Sequence, residues 1–261
     1  MPEGDTVFQT ARRQNEALAG LVLTGFELRV PKFAAADLTG ETVHEVVGRG
    51  KHLFHRIGDW SLHSHLKMEG TWRLVPPGGR WPKPAFQARA VLRVASVTSI
   101  GFELGITELI PTADEDSVVG HLGPDLLGAG WDDSAAAEAV RRLEAHPETP
   151  VYVAVLDQEN LAGIGNVYAN ELCFLRGVLP TTPMAEVDAA AVVALARRLL
   201  VANRDRFPRV TTGDTRPGRR NWVYGRTGQP CLRCGTVLRS GELGARPGQE
   251  RVVVWCPLCQ S

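Results

Sequence analysis

Four cysteines near the C-terminus constrain this chain more than any other feature. They stand as Cys231-Leu-Arg-Cys234 and Cys256-Pro-Leu-Cys259, a C-x2-C-x21-C-x2-C spacing. Two such knuckles are able to place four thiolates tetrahedrally about 2.3 Å from a Zn²⁺ ion in a closed structural site. Disulfides are the competing use of four cysteines. The paired spacing, with no basic-then-apolar leader at the N-terminus, favours one structural zinc ion and a cytoplasmic protein. The residues between the knuckles include Val237–Leu238 and Arg251–Trp255 around a Gly/Pro turn, a β-hairpin pattern. So small a module has little core, and a metal supplies the missing folding energy. Its expected task is to hold Arg251 at the start of the last strand, where a guanidinium is able to clamp a phosphate bidentately. An ordinary exposed strand arginine would look the same in sequence. The fifth cysteine, Cys173, lies in an apolar helical segment and reads as a core thiol.

The other end of the chain is equally suggestive. It begins Met1-Pro2-Glu3-Gly4-Asp5-Thr6. If Met1 is trimmed, Pro2 exposes a secondary amine, which attacks an electrophilic carbon and leaves an iminium without further proton loss. An α-amino group titrates near pKa ~7.7–8.0, so part of it is neutral at physiological pH. Glu3 is placed to act as the acid such an attack needs. A Met-Pro start by itself does not distinguish catalysis from an ordinary terminus. Residues 5–19 read as a helix capped by Asp5 or Thr6, with Val7, Phe8, Ala11 and Leu18 as its apolar stripe and Gly20 at its end. The nucleophile would then sit at a helix N-terminus, where partial positive charge favours a neutral amine and an anionic Glu3.

From Leu21 to about Pro111 the period becomes two. Leu21–Arg29, Thr42–Val47, His52–Ile57, Trp60–His65 and Ala88–Ala95 are β-rich segments separated by Gly or Pro, and Pro76–Pro84 is an exposed loop. This predicts an antiparallel sandwich or barrel. Beyond Asp133 the pattern is helical, with segments at Ser134–Ala145, from Thr149-Pro150 to about Gln158, from the glycine turn at 161–166 to Gly177, and at Ala185–Arg206. The turn Gly163-Ile-Gly-Asn166 does not follow a strand, so it fails as a dinucleotide motif. Between two helices it reads as a helix–turn–helix-like unit, where backbone N–H groups and the Asn166 amide are able to hold a phosphate or simply pack a turn. Formal net charge is zero, but residues 151–261 hold 14 Arg and no Lys against 9 acidic residues. That polarity suits one half facing phosphates, and an arginine-rich solvated face equally. No run approaches the ~18 apolar residues of a membrane span.

Seven segments together carry a resemblance. MPEG at the start, GRGKHL at 48–53, SHLKMEG at 64–70, HLGPDLL at 121–127, LDQENLAGIGNVYANE at 156–171, YGRTGQPC at 224–231 and RVVVWCPLCQ at 251–260 occur in order over nearly the whole chain. The chain is similar to the formamidopyrimidine-DNA glycosylase/endonuclease VIII family. MPEG in place of MPEL, and the W-C-P-x-C-Q ending, resemble the endonuclease VIII branch. The resemblance implies an α+β fold: an N-terminal helix and antiparallel β-sandwich (1–127, catalytic), a helix–two-turns–helix DNA-binding domain (134–223) and a β-hairpin zinc finger (224–261). It implies a bifunctional DNA glycosylase and abasic-site lyase of base excision repair. In that reading Pro2 attacks the sugar C1′, Glu3 protonates the ring oxygen, and Lys51 contacts phosphate and assists protonation. β and δ eliminations then cut the strand. Met68 fills the hole left by the extruded nucleotide, Lys67 or Glu69 touches the neighbouring base, and Asn166 and Arg251 grip phosphates across a DNA cleft between the two halves. Taken alone, Lys51 also fits a solvated turn lysine and Met68 a core methionine. DNA is the expected partner and the expected protein is a monomer.

Two departures bear on this expectation. Thr6 stands where the family commonly has a glutamate, although MPEGDT starts occur among endonuclease VIII-like members. Residues 100–111 read IGFELGITELIP in place of the Arg-Arg-Phe segment of the formamidopyrimidine branch, which favours oxidised pyrimidines over 8-oxoguanine. Two other readings compete. One is a non-catalytic, zinc-stabilised binder of damaged or abasic DNA. The other is a zinc-ribbon protein-interaction module, which leaves the N-terminal motifs unexplained.

Overall fold

The computed structural model describes residues 2–261; Met1, and with it the question of its removal, lies outside them. The chain divides into two compact units, one ending at His121 and the other covering Leu122–Ser261.

The first unit opens with α1 (Gly4–Leu18). Neither Asp5 nor Thr6 caps it. Glu3 is the N-cap residue, in extended backbone at φ −129 and ψ −172, and Asp5 already lies in the first turn. The Asp5 carboxylate accepts from the adjacent Thr6 N–H at 2.7 Å. Val7, Ala11 and Leu18 are buried as the stripe requires, while Phe8 is half-buried. Eight strands follow: β1 (Gly25–Leu28), β2 (Val43–Arg49), β3 (His52–Ile57), β4 (Trp60–His65), β5 (Thr71–Val75), β6 (Ala88–Arg93), β7 (Thr98–Phe102) and β8 (Ile106–Pro111). They form two antiparallel four-stranded sheets, ordered β1-β6-β7-β5 and β2-β3-β4-β8. The expected strand at Leu21–Arg29 is shorter, because its first residues make only a single bridge, Val22 to Thr42.

One hydrophobic core joins the layers. Val7 and Leu18 of α1 meet Leu53, Ile57 and Leu62 from one sheet and Phe26, Leu28 and Leu92 from the other. Burial of such side chains contributes roughly 1.5–3 kcal/mol each, which explains why the period-two segments settle as a sandwich. A charged clamp fastens the rim. Arg56 donates to Glu115 at 2.9 and 2.6 Å and to Glu45 at 2.5 Å, and Ser61 also donates to Glu115. A short helix, α2 (Glu115–Val119), carries that glutamate.

The second unit holds α3 (Asp133–Glu144), α4 (Val151–Leu156), α5 (Asn166–Arg176) and α6 (Ala189–Asn203). Asp132 caps α3 by accepting from Ala135 N–H at 2.9 Å. Gly177 ends α5 at φ 75, a left-handed conformation that a Cβ disfavours. The helix expected from Ala185 starts later, since Met184–Glu186 is a 3-10 turn. Asp188 caps α6 through Ala191 N–H at 2.9 Å. At the C-terminus β9 (Arg239–Leu243) pairs antiparallel with β10 (Arg251–Trp255), Arg251 facing Leu243. The hairpin's first strand is therefore not Val237–Leu238. Val237 bridges to Pro230 instead, and Leu238 N–H bonds to Gln229 O at 2.9 Å. Tyr152, Tyr168, Leu172, Val193 and Leu200 centre the helical core, which also takes in Cys173. Burial pushes the Cys173 thiol up to about 12, so it is an inert core group. No helix among the described residues is long and apolar enough to cross a membrane.

Gly70 closes the SHLKMEG turn onto Leu66, and a Cβ there would lie 2.4 Å from the Leu66 carbonyl oxygen. Gly70→Ala is expected to destabilise the protein by about 1–3 kcal/mol, seen as a lower urea midpoint. Gly130→Ala, where nothing lies within 4 Å of the added Cβ, should be near neutral.

Candidate active site

At the N-terminus the structure puts Pro2 and Glu3 together at one helix end. Pro2 is half-buried and Glu3 is fully buried, at 0% exposure. Glu3 makes no side-chain cap, while its carbonyl accepts from Val7 N–H at 3.0 Å to begin the helix. Its carboxyl group is thus withheld from routine capping. Asp5, 1% exposed, turns toward Thr6 and accepts from the Thr6 hydroxyl at 3.3 Å as well as from its N–H.

The GRGKHL segment forms the turn between β2 and β3, with Lys51 in it. Gly48 brings this turn to α1, because a Cβ there would sit 3.2 Å from Val7 Cγ1 and 3.7 Å from Ala11 Cβ. In the following SHLKMEG turn Lys67 adopts φ 51 and Met68 is 59% exposed. Met68 is therefore a surface side chain, not a core one. Lys51 and Lys67 converge electrostatically on His65, whose pKa falls to about 4 through burial first and then those two lysines.

A histidine chain that sequence reasoning missed lies behind these turns. The β3–β4 register pairs His52 with His65, and β4–β8 pairs His63 with Glu108. His63 Nδ1 is 2.7 Å from Glu108 Oε1, and His52 Nδ1 is 2.8 Å from His63 Nε2. A carboxylate only accepts, so His63 carries its proton on Nδ1 and offers Nε2 as acceptor to His52 Nδ1–H. His65 Nδ1 accepts from Lys67 N–H at 2.9 Å, which leaves its proton on Nε2. Burial lowers His52 to about 3. The cluster is uncharged at neutral pH, and its tautomers are fixed. Its sequence signal was the pairing of positions 52 and 65 across a two-residue hairpin turn.

In the second unit, Asn166 is the first residue of α5 and is 7% exposed. Its Oδ1 accepts from Tyr152 Oη and from Asn170 Nδ2, both at 2.6 Å. Glu171, fully buried, accepts from the N–H groups of Trp222, Val223 and Tyr224 at 2.8, 2.9 and 2.9 Å and from the Thr211 hydroxyl. Burial still raises its pKa. Arg251 is exposed, with Nη1 donating to the neighbouring Glu250 carbonyl at 3.1 Å, and it forms no ion pair among the described residues. Asn170 and Glu171 were within the quoted NVYANE motif but received no role from sequence.

Cys231, Cys234, Cys256 and Cys259 converge with all four Sγ atoms within 4.8 Å of one another. Tetrahedral Zn–S bonds of about 2.3 Å set sulfur atoms about 3.8 Å apart, so the donor set fits a metal. Cys234 Sγ and Cys256 Sγ are 3.4 Å apart, far beyond a disulfide bond of about 2.05 Å.

A sandwich led by a helix, a glycine-turn helix unit and a four-cysteine hairpin together define an α+β class with a metal-binding terminal hairpin. The family model for the formamidopyrimidine-DNA glycosylase N-terminal domain matches residues 1–104, and that for the formamidopyrimidine-DNA glycosylase H2TH domain matches residues 122–201. A probable endonuclease 8 2 of Streptomyces coelicolor is 50% identical, covering 100% of this chain and 94% of that protein. The DNA-(apurinic or apyrimidinic site) lyase Nei2 of Mycolicibacterium smegmatis is 49% identical, covering 100% and 99%. A Lactococcus lactis Fpg (MutM), solved with DNA containing N7-benzyl-Fapy-dG, shares the fold at a TM-score of 0.79 and 23% identity, with 100% of both chains covered. The chain belongs to the formamidopyrimidine-DNA glycosylase/endonuclease 8 family.

His55 gives the sandwich a measurable pH dependence. Both its ring nitrogens are buried with no hydrogen-bond partner among the described residues, beside Trp72 at 4.5 Å. Burial lowers its pKa from 6.5 to about 3. Between those values the unfolded chain binds a proton that the folded chain excludes, so stability falls as pH falls below 6.5, by about 1.4 kcal/mol per pH unit. Urea midpoints from pH 7 to pH 5 should decline, and His55→Leu should flatten the decline. An unchanged slope in the variant would contradict this assignment.

Proposed function

We propose that this protein is a bifunctional DNA glycosylase and abasic-site lyase that removes oxidised bases, chiefly pyrimidines. The observation that carries the reading is Pro2 one residue ahead of a fully buried Glu3 at the N-terminus of α1. An amine nucleophile and an adjacent acid, on a helix end whose partial positive charge favours the free amine, are what base excision through a Schiff base requires. Relatives called endonuclease 8 and abasic-site lyase at about half identity support it.

With Met1 removed, the Pro2 nitrogen forms a bond to C1′ of the damaged nucleotide. The base leaves with the electrons of the glycosidic bond. Glu3 donates a proton to the ring oxygen, and ring opening leaves an iminium between Pro2 and the sugar. Its positive charge acidifies the 2′ proton, so loss of that proton expels the 3′ phosphate. A second elimination expels the 5′ phosphate. Turning the nucleotide out of the helix costs a few kcal/mol, and exposed Met68 with Lys67 offsets part of this by entering the stack. Lys51 contacts the phosphate near the reacting sugar. Asn166 and Arg251 bind backbone phosphates and carry no sequence information. Asp5, bonded to Thr6, gives the first helical turn a carboxylate where the family commonly carries a glutamate at position 6.

The four cysteines would hold one structural Zn²⁺, which fixes β10 and hence Arg251 and takes no part in bond breaking. Metal analysis should find one zinc ion per chain. Cys259→Ser should lower the zinc content and weaken DNA affinity. Purified protein without zinc would overturn this part of the reading.

Borohydride trapping tests the chemistry. The protein should form a covalent adduct with oligonucleotides carrying thymine glycol, dihydrouracil or an abasic site, and less with 8-oxoguanine. Pro2→Gly should slow base removal strongly, and Glu3→Gln should lower its single-turnover rate by about 10²–10⁴-fold with affinity for abasic DNA retained. A protein that binds damaged DNA tightly yet traps on no substrate would be a damage binder, not an enzyme.

A further inference from the structure

The two residues read above as phosphate ligands, Asn166 and Arg251, stand 85 positions apart in sequence, and a single buried side chain joins their supports. Asn170, at 0% exposure, lies one turn along α5 from Asn166. Its Nδ2 donates to the Asn166 carbonyl at 2.8 Å, to Asn166 Oδ1 at 2.6 Å and to the Val252 carbonyl at 3.3 Å. Its Oδ1 accepts from Val254 N–H at 2.6 Å.

These bonds do two things. On the strand side, Val252 C=O and Val254 N–H point to the same edge of β10, and β9 pairs with β10 along the other. The Asn170 amide takes the place of a third strand on that open edge, accepting from one residue and donating to another two positions away. Arg251 is the residue immediately before the pinned pair. On the helix side, Asn170 Nδ2 and Tyr152 Oη both donate to Asn166 Oδ1. An amide whose oxygen is held by two donors turns its Nδ2 the other way, and Nδ2 is the end that binds a phosphate oxygen. Neither arm survives replacement by an apolar side chain, whereas the amide supplies donor and acceptor from one short planar group.

We infer that Asn170 is a positioning residue that fixes the spacing of Asn166 and Arg251, so that the helix end and the hairpin act on the DNA backbone as one preorganised clamp. The inference rests on the phosphate-binding reading of those two residues. Ligands held at the spacing of their targets each contribute fully to affinity, whereas ligands that must be ordered on binding lose part of their contribution to that ordering.

The test is a set of affinities for a duplex containing a tetrahydrofuran abasic analogue, measured by fluorescence anisotropy at several salt concentrations. Arg251→Ala and Asn166→Ala should each weaken binding about tenfold in the unaltered background, and Arg251→Ala should lower the salt slope by about one. Asn170→Leu should itself weaken binding about tenfold. In that background, adding either alanine substitution should cost less than about threefold. A role in stability alone would leave the tenfold cost of Arg251→Ala intact in Asn170→Leu, and that result overturns the inference. Should Asn170→Leu not fold, Asn170→Ser carries the same comparison, its shorter side chain leaving room for water at Val254 N–H. If neither alanine substitution weakens binding in the unaltered background, the phosphate reading itself falls. If both do and their costs persist in the Asn170 variants, only the clamp falls.

Discussion

An ionised carboxylate is not buried without donors, and in the C-terminal unit the segment leading to the cysteine hairpin is arranged around that requirement at Glu171. Three successive backbone N–H groups, from Trp222 to Tyr224, and the Thr211 hydroxyl converge on it. Removing such a partner set from a buried charge costs several kcal/mol. The carboxylate therefore dictates the path of the chain between α6 and the cysteine hairpin, and with it where the hairpin can dock. Even with four donors its pKa stays above the ordinary range because of burial. The segment is held by these bonds together with apolar packing, since Val223 is buried among Phe174, Leu238 and Val254. Trp222 stacks on Phe174 at 5.4 Å, and the Arg233 guanidinium lies 4.5 Å above the Phe174 ring.

The N-terminal unit solves a different problem, that of keeping polar groups ready inside a sandwich. The helix end supplies a field favourable to an uncharged amine. The histidine chain from His52 to Glu108 is kept neutral by burial, and each ring's proton is assigned by its partner's inability to donate or accept. Lys51 and Lys67 thus stand as positive charges over histidines that add none at neutral pH. This separation keeps the local charge constant across the physiological range.

The parts of this arrangement that were legible in sequence are those with a local cause. The strands at His52–Ile57 and Trp60–His65 match their segments residue for residue, because a two-residue turn joins them and they pair along their whole length. The cysteine cluster was readable from spacing alone. Glu3 as N-cap was not, because the usual capping residue, Asp5, sits two positions later and spends its carboxylate on Thr6. The late start of α6 has the same origin: Asp188 competes with the helical continuation that the alanine-rich run suggested. The first hairpin strand was misplaced because Val237 and Leu238 are apolar for another reason, the bridge to Pro230 and the packing of Leu238 beside the cysteines. Asn170 and Glu171 had no readable role at all. Their distant partners lie 40 to 84 positions away, and one-dimensional periodicity contains no information about contacts at that range.

That distance has a consequence for how the protein is made. Asn170 and Val254 are separated by 84 residues, and chains are synthesised at roughly 5–20 residues per second, so on the order of 4–17 seconds pass between the birth of the donor helix and that of its strand. The bonds to Glu171 arrive sooner, from residues 51 to 53 positions downstream. In a nascent chain the partners of the C-terminal unit therefore become available in sequence: the helix, then the Trp222–Tyr224 segment that donates to Glu171, then the strand that bonds to Asn170. A chain truncated before residue 251 carries the donors to Glu171 and lacks the strand that Asn170 holds.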